Sequence, residues 1–137
     1  MTVIDMQTMR YINILDRTSR VKTSKCFSYN NTIIFAVPRA FLGQAIGPDA
    51  LNVRRIQEEL GKKVRIIAEP NGIEDIQRFV ESIVAPVKFK AMVVENGMAT
   101  LNAGSQSKAA LIGRNRRRFE ELQRIIKNIF SVDLKII

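Results

Sequence analysis

Histidine and tryptophan are absent from this chain, and Cys26 is its only cysteine. A lone cysteine forms no intrachain disulfide, and without histidine there is neither a Cys/His zinc site nor histidine-based acid–base chemistry. Cys26 reads as a structural strand residue, in keeping with the burial of free cysteines. No stretch approaches the roughly 18–20 apolar residues of a membrane span, and the N-terminus lacks a basic segment followed by an apolar one, which argues against insertion and export. Phosphate-binding P-loops, G-x-S-x-G elbows and metal-ligand spacings are missing too. Adjacent acids such as Glu58-Glu59 and Glu120-Glu121 read as ordinary helix surface charge. The expectation is a cytoplasmic protein that is not an enzyme, with no cofactor, metal or small-molecule substrate.

What is present is apolar substance and positive charge. With 137 residues, 46% hydrophobic and 26% charged, the chain can bury one ordinary core or two small ones. Its net charge of +9 and pI near 10.2 favour polyanionic partners, nucleic acid before anionic membrane. Eleven Lys+Arg stand against six Asp+Glu before Pro70, and eleven against seven from there on, so both halves are basic.

The halves also repeat one another. At an offset of 66 residues, Asn30-Asn31 falls on Asn96-Gly97, Ile46-Gly47 on Ile112-Gly113, Val53 on Phe119 and Ile56 on Leu122. Upstream, Tyr11, Ile12 and Leu15 align with Phe79, Val80 and Ile83 at an offset of 68, and downstream Val64–Ile67 aligns with Leu134–Ile137 at 70.

Each copy opens with an amphipathic helix. In the second, Ile73, Ile76, Val80 and Ile83 keep helical spacing, with Asn71 placed to cap, Glu74 three residues on, and Pro86 beyond the end. In the first, Thr2 and Asp5 sit similarly and the helix runs to about Leu15. Hairpins follow: Lys25 to Tyr29 turns at Asn30-Asn31 into Thr32 to Val37, and Val87 to Val94 turns at Asn96-Gly97 into Met98 to Leu101. Asn and Gly supply the positive φ of two-residue turns. Then come a short helix, a break at Gly47 or Gly113, a longer helix and a closing strand that can pair only in parallel with the second hairpin strand. The expected fold is α+β, α-β-β-α-α-β twice, with a mixed three-stranded sheet and helices on one face in each unit. Residues 1–69 form the first domain and 70–137 the second. Phe119 and Phe130 are assigned to the core, and so are Tyr29 and Phe35, for which stacking on bases beside the hairpin is the alternative.

The helix–break–helix element carries the binding chemistry. A tight loop opening a helix presents free N–H groups and the positive end of the helix dipole, and glycine at its first position admits a sugar-phosphate backbone where no Cβ intrudes. On that reading Gly113→Asp should weaken binding and spare stability. The alternative is that each glycine ends the preceding helix as a left-handed cap. In the second copy, Arg114, Arg116, Arg117 and Arg118 crowd a helix start, where stability alone favours acids. A bound anion would resolve that conflict; the alternative is a solvated basic face partly offset by Glu120 and Glu121.

In topology and loop the chain resembles tandem type II KH domains, whose G-x-x-G loop clamps about four unpaired nucleotides. Leu51-Asn52-Val53-Arg54 is similar to the stretch that follows the KH loops of NusA transcription factors. With two such units and little else, the chain resembles the compact archaeal NusA-like family. The resemblance implies single-stranded RNA, the nascent transcript, as ligand, RNA polymerase as a partner, and a role in transcription elongation, pausing or termination. Carried over by position, the RNA-binding residues are Gly47, Pro48, Asp49, Ala50, Asn52, Arg54 and Arg55 in the first copy, and Gly113, Arg114, Asn115, Arg116, Arg117 and Arg118 in the second. Both loops depart from the pattern: Ala50 and Arg116 replace the final glycine, and Asp49 is an acid where the family carries a base. Lys62, Lys63 and Arg65 could extend the positive surface. A ribosome-associated KH protein and a KH-derived module that docks on polymerase are the alternatives.

Overall fold

The computed structural model describes residues 6–137, which divide into two compact units meeting in sequence between Glu69 and Pro70. The first comprises α1 (Met6–Ser19), β1 (Lys25–Tyr29), β2 (Thr32–Val37), α2 (Leu42–Ile46), α3 (Leu51–Leu60) and β3 (Lys63–Ala68). The second comprises α4 (Ile76–Val84), β4 (Ala91–Glu95), β5 (Met98–Asn102), α5 (Ser105–Ile112), α6 (Arg117–Phe130) and β6 (Asp133–Ile136). The fold is α+β, with two separate three-stranded mixed sheets, ordered β1-β2-β3 and β4-β5-β6.

Turn chemistry sets the register of the hairpins. Asn30 and Asn31 adopt φ of 52° and 58°, which closes β1 on β2 with Tyr29 opposite Thr32. Asn96 and Gly97 at φ 50° and 75° do the same for Glu95 and Met98. Asparagine and glycine tolerate this left-handed region where other residues are strained. The closing strands run parallel, Ile33 beside Val64 and Ala99 beside Leu134.

In the first unit, Ile33, Phe35 and Val37 of β2 and Val64 and Ile66 of β3 face one way. They pack with Tyr11, Ile14 and Leu15 of α1, Ala45 of α2 and Ile56 of α3. The three helices therefore cover one face of the sheet, and Cys26 packs at the edge of that core. Tyr29 and Phe35 are buried, whereas Phe119 and Phe130 are half-buried, with Phe130 meeting Phe79 edge-on at 5.9 Å.

The structure departs from the sequence reading in two boundaries, one cap and one alignment. Helix α1 continues to Ser19, where Ser19 Oγ donates to Leu15 O and Arg20 turns left-handed at φ 64°; Thr2 and Asp5 lie outside the described residues. Strand β4 begins at Ala91 and not Val87, because the Val87 N–H is spent on a turn back to Val84 O. Asn71 does not cap the second unit's first helix. Its own N–H donates to Asp75 Oδ2 at 2.9 Å, and Asp75 also holds Arg78 at 2.6 Å, raising the guanidinium pKa through that hydrogen bond. Finally, the buried set Tyr11, Ile14, Leu15 and Ser19 matches Ile76, Phe79, Val80 and Val84 of α4, which buries Ile83 as well, three residues out of step with the alignment read from the sequence. Three residues is nearly one helical turn, so a slipped pairing keeps much of the apolar pattern.

Candidate nucleic-acid interface

The loops between α2 and α3 and between α5 and α6 share one backbone. Gly47 and Gly113 sit at φ/ψ 80°/168° and 75°/173°, Asp49 and Asn115 at 53°/34° and 55°/28°, and Ala50 and Arg116 at 57°/31° and 61°/22°. Each glycine N–H ends the preceding helix, to Gly43 O or Ala109 O at 2.9 Å, and each glycine carbonyl accepts from the fourth loop residue at 3.2 Å.

This geometry explains the loop sequences. The first position lies in a region of positive φ and extended ψ that only glycine occupies readily, so neither glycine is a left-handed helix cap. A Cβ at Gly47 would stand 2.9 Å from Asn52 Nδ2, and one at Gly113 would stand 2.6 Å from Arg118 Cγ. The third and fourth positions are left-handed. Asp and Asn tolerate that conformation, which accounts for Asp49 and Asn115, while Ala and Arg do not, at roughly 1–2 kcal/mol each. Asp49 is therefore a backbone choice; the residue at the N-cap of α3 is Ala50, with no side-chain cap.

Two substitutions in the first loop should act in opposite directions. Gly47→Ala should lower the unfolding free energy by about 1–3 kcal/mol, since it meets both the forbidden dihedrals and Asn52. Ala50→Gly should raise it by up to about 1 kcal/mol, because relief of left-handed strain outweighs the entropy of glycine. Urea titration of both variants reads this out, and equal signs would contradict the loop geometry.

The predicted site residues fall into two sets. Asn52 is spent on structure: its Nδ2 donates to Gln44 O at 3.1 Å, tying the start of α3 to α2. Arg118, its counterpart in the second loop, lies against Gly113 and pairs with Glu121, both side chains being mostly buried. By contrast, Pro48, Asp49, Arg54 and Arg55 around the first loop, and Arg114, Asn115, Arg116 and Arg117 around the second, are exposed. No ion pair among the described residues engages Arg54, Arg55, Arg114, Arg116 or Arg117.

The two loops thus differ in charge on the same backbone. The first offers Pro48, which lacks an N–H, and the carboxylate of Asp49. The second offers these three guanidinium groups at the start of a 14-residue helix with no side-chain cap. Of the additional cations, Lys62 is engaged by Tyr11, donating to its hydroxyl at 3.3 Å and lying 5.8 Å from its ring centroid. Sequence reasoning missed one contact: the Arg116 guanidinium lies over the Phe119 ring, 4.8 Å from its centroid. The three-residue spacing of a cation and an aromatic at a helix start was its signal.

Among the described residues no cluster of His, Cys, Asp and Glu could hold a metal ion, and no helix is long and apolar enough to cross a membrane.

An α+β chain with this duplicated loop has recognisable relatives. No family profile matches it. It is 23% identical over 128 residues to the "Probable transcription termination protein NusA" of Halococcus morrhuae, spanning 91% of this chain and 90% of that protein. The protein of the same name from Methanocaldococcus jannaschii is 25% identical over 120 residues, with 85% of this chain aligned to 64% of the relative. A solved structure, "Crystal structure of APE1850", shares the fold at a TM-score of 0.69 and 23% identity, covering 98% of this chain and all of that one. The chain is a distant relative of the archaeal NusA-like proteins.

Proposed function

We propose that the chain is a pair of tandem type II KH domains that binds single-stranded RNA and acts on transcription elongation or termination, as the names of its relatives suggest. The observation that carries this reading is the duplicated loop, whose backbone is shared by both units to within 10° at the residues compared. In each unit it opens a helix towards solvent. Arg114, Arg116 and Arg117 then supply the phosphate contacts in the second unit, assisted by the helix dipole. Gly113 shapes the loop, and Arg118 with Glu121 holds it. Arg54 and Arg55 give the first unit a weaker basic surface.

On this reading the protein works by binding and not by catalysis, in the cytoplasm, with the nascent transcript as ligand and RNA polymerase as a second partner. Titration with a single-stranded RNA and with a duplex of equal length, each at two salt concentrations, tests it. The single strand should bind more tightly, with a log-log salt slope of about −0.7 for each phosphate neutralised. Absence of RNA binding by folded protein would instead favour a protein-docking module.

A further inference from the structure

We propose that Arg116 and Phe119 form a base-stacking platform beside the phosphate-binding loop, so that the second unit holds a nucleobase as well as a phosphate. The proposal rests on the RNA-binding reading above and adds a contact to it. The guanidinium of Arg116 lies over the Phe119 ring at 4.8 Å, and Arg116 is exposed whereas Phe119 is half-buried. The ring therefore takes up one side of the guanidinium group, and the exposure of Arg116 leaves that group accessible to a ligand. A planar cation fixed on an aromatic ring has lost much of its rotamer freedom, and its plane suits a base, since nucleobases stack on guanidinium planes as they do on aromatic rings.

Backbone and sequence place this pair with care. Arg116 occupies the left-handed fourth position, at φ 61°, where a residue with a Cβ is strained. A glycine there would be more stable and would carry no platform. The first unit has Ala50 and Val53 at the matching positions. It has neither cation nor ring, so the platform belongs to the second unit alone. A base stacked on Arg116 would belong to a nucleotide whose phosphate can reach the arginines at the start of α6, which makes the contact selective for unpaired strands. Purines should be favoured for their larger stacking area.

The test uses the full chain, a single-stranded RNA of adenines, and the same strand with abasic residues. Arg116→Lys keeps the charge and the backbone conformation but removes the plane, and Phe119→Leu keeps an apolar support but removes the ring. The ratio of affinities for the adenine and abasic strands should fall by about fivefold or more in each variant, at the lower end of the stacking range, while the salt slope of Arg116→Lys stays that of wild type. Melting curves confirm that both variants are folded. A ratio unchanged in both folded variants would overturn the platform and leave RNA binding standing. A wild-type protein that binds neither strand would overturn the platform together with the RNA-binding reading.

Discussion

Replacing Arg114, Arg116 and Arg117 together by glutamine should weaken binding to single-stranded RNA by about a hundredfold or more at low salt while leaving the protein folded. All three side chains are exposed and none is ion-paired among the described residues, so their removal breaks no ion pair and loses only the Arg116 contact with the Phe119 ring, worth about 0.5–1 kcal/mol at an exposed site. A charge-assisted hydrogen bond contributes roughly 1.5–3 kcal/mol, and two such bonds already span two decades of affinity. The stability effect should have the opposite sign. Cations at the start of a helix oppose its dipole by about 0.3–1 kcal/mol each, so the triple variant should melt at the same temperature or higher. The salt slope should flatten by about 0.7 for each phosphate that is no longer neutralised. Unaltered affinity and slope would exclude the cluster from the interface.

Phe35→Ala should cost about 3–5 kcal/mol of unfolding free energy. Phe35 is fully buried on the central strand of the first sheet, between Cys26 on β1 and Ile66 on β3, and faces all three helices of its unit. Truncation leaves a cavity that the rigid sheet cannot collapse to fill. Since a domain is stable by only about 5–15 kcal/mol in total, the first unit should be largely unfolded at moderate urea concentrations that leave the wild type intact. A cost below about 1 kcal/mol would contradict the packing described.

The elements most legible in the sequence were those written by local rules. Asn30-Asn31 and Asn96-Gly97 announce hairpins because few residues accept the dihedrals of a two-residue turn, and the first hairpin has the bounds read from its sequence. The topology followed from the repeat. What misled was pattern without context. Val87 to Lys90 alternates like a strand, yet Pro86 and the turn at Val84 delay the strand to Ala91. The first helices were paired three residues out of step because a slip of nearly one turn keeps the apolar spacing, whereas burial depends on the face turned to the sheet.

The candidate site shows the same division. Its position and charge were legible, because glycine before a basic helix start is a one-dimensional signal. The roles of its members were not. Asn52 and Arg118 lie five residues along the chain from their glycines, and only the folded loop brings them against those glycines and makes them supports. The expectation that Gly113→Asp would spare stability fails for the same reason: φ 75° and the 2.6 Å approach to Arg118 make that glycine structural.

On the proposed function, RNA meets this protein at the loop opening α6. Amide NMR of the labelled full chain, titrated with a short single-stranded RNA, tests it most directly. The largest shift changes should fall on residues 113–119, with smaller ones around 47–55, and they should vanish at high salt. Shifts confined to other surfaces, or none at all at saturating RNA, would contradict it.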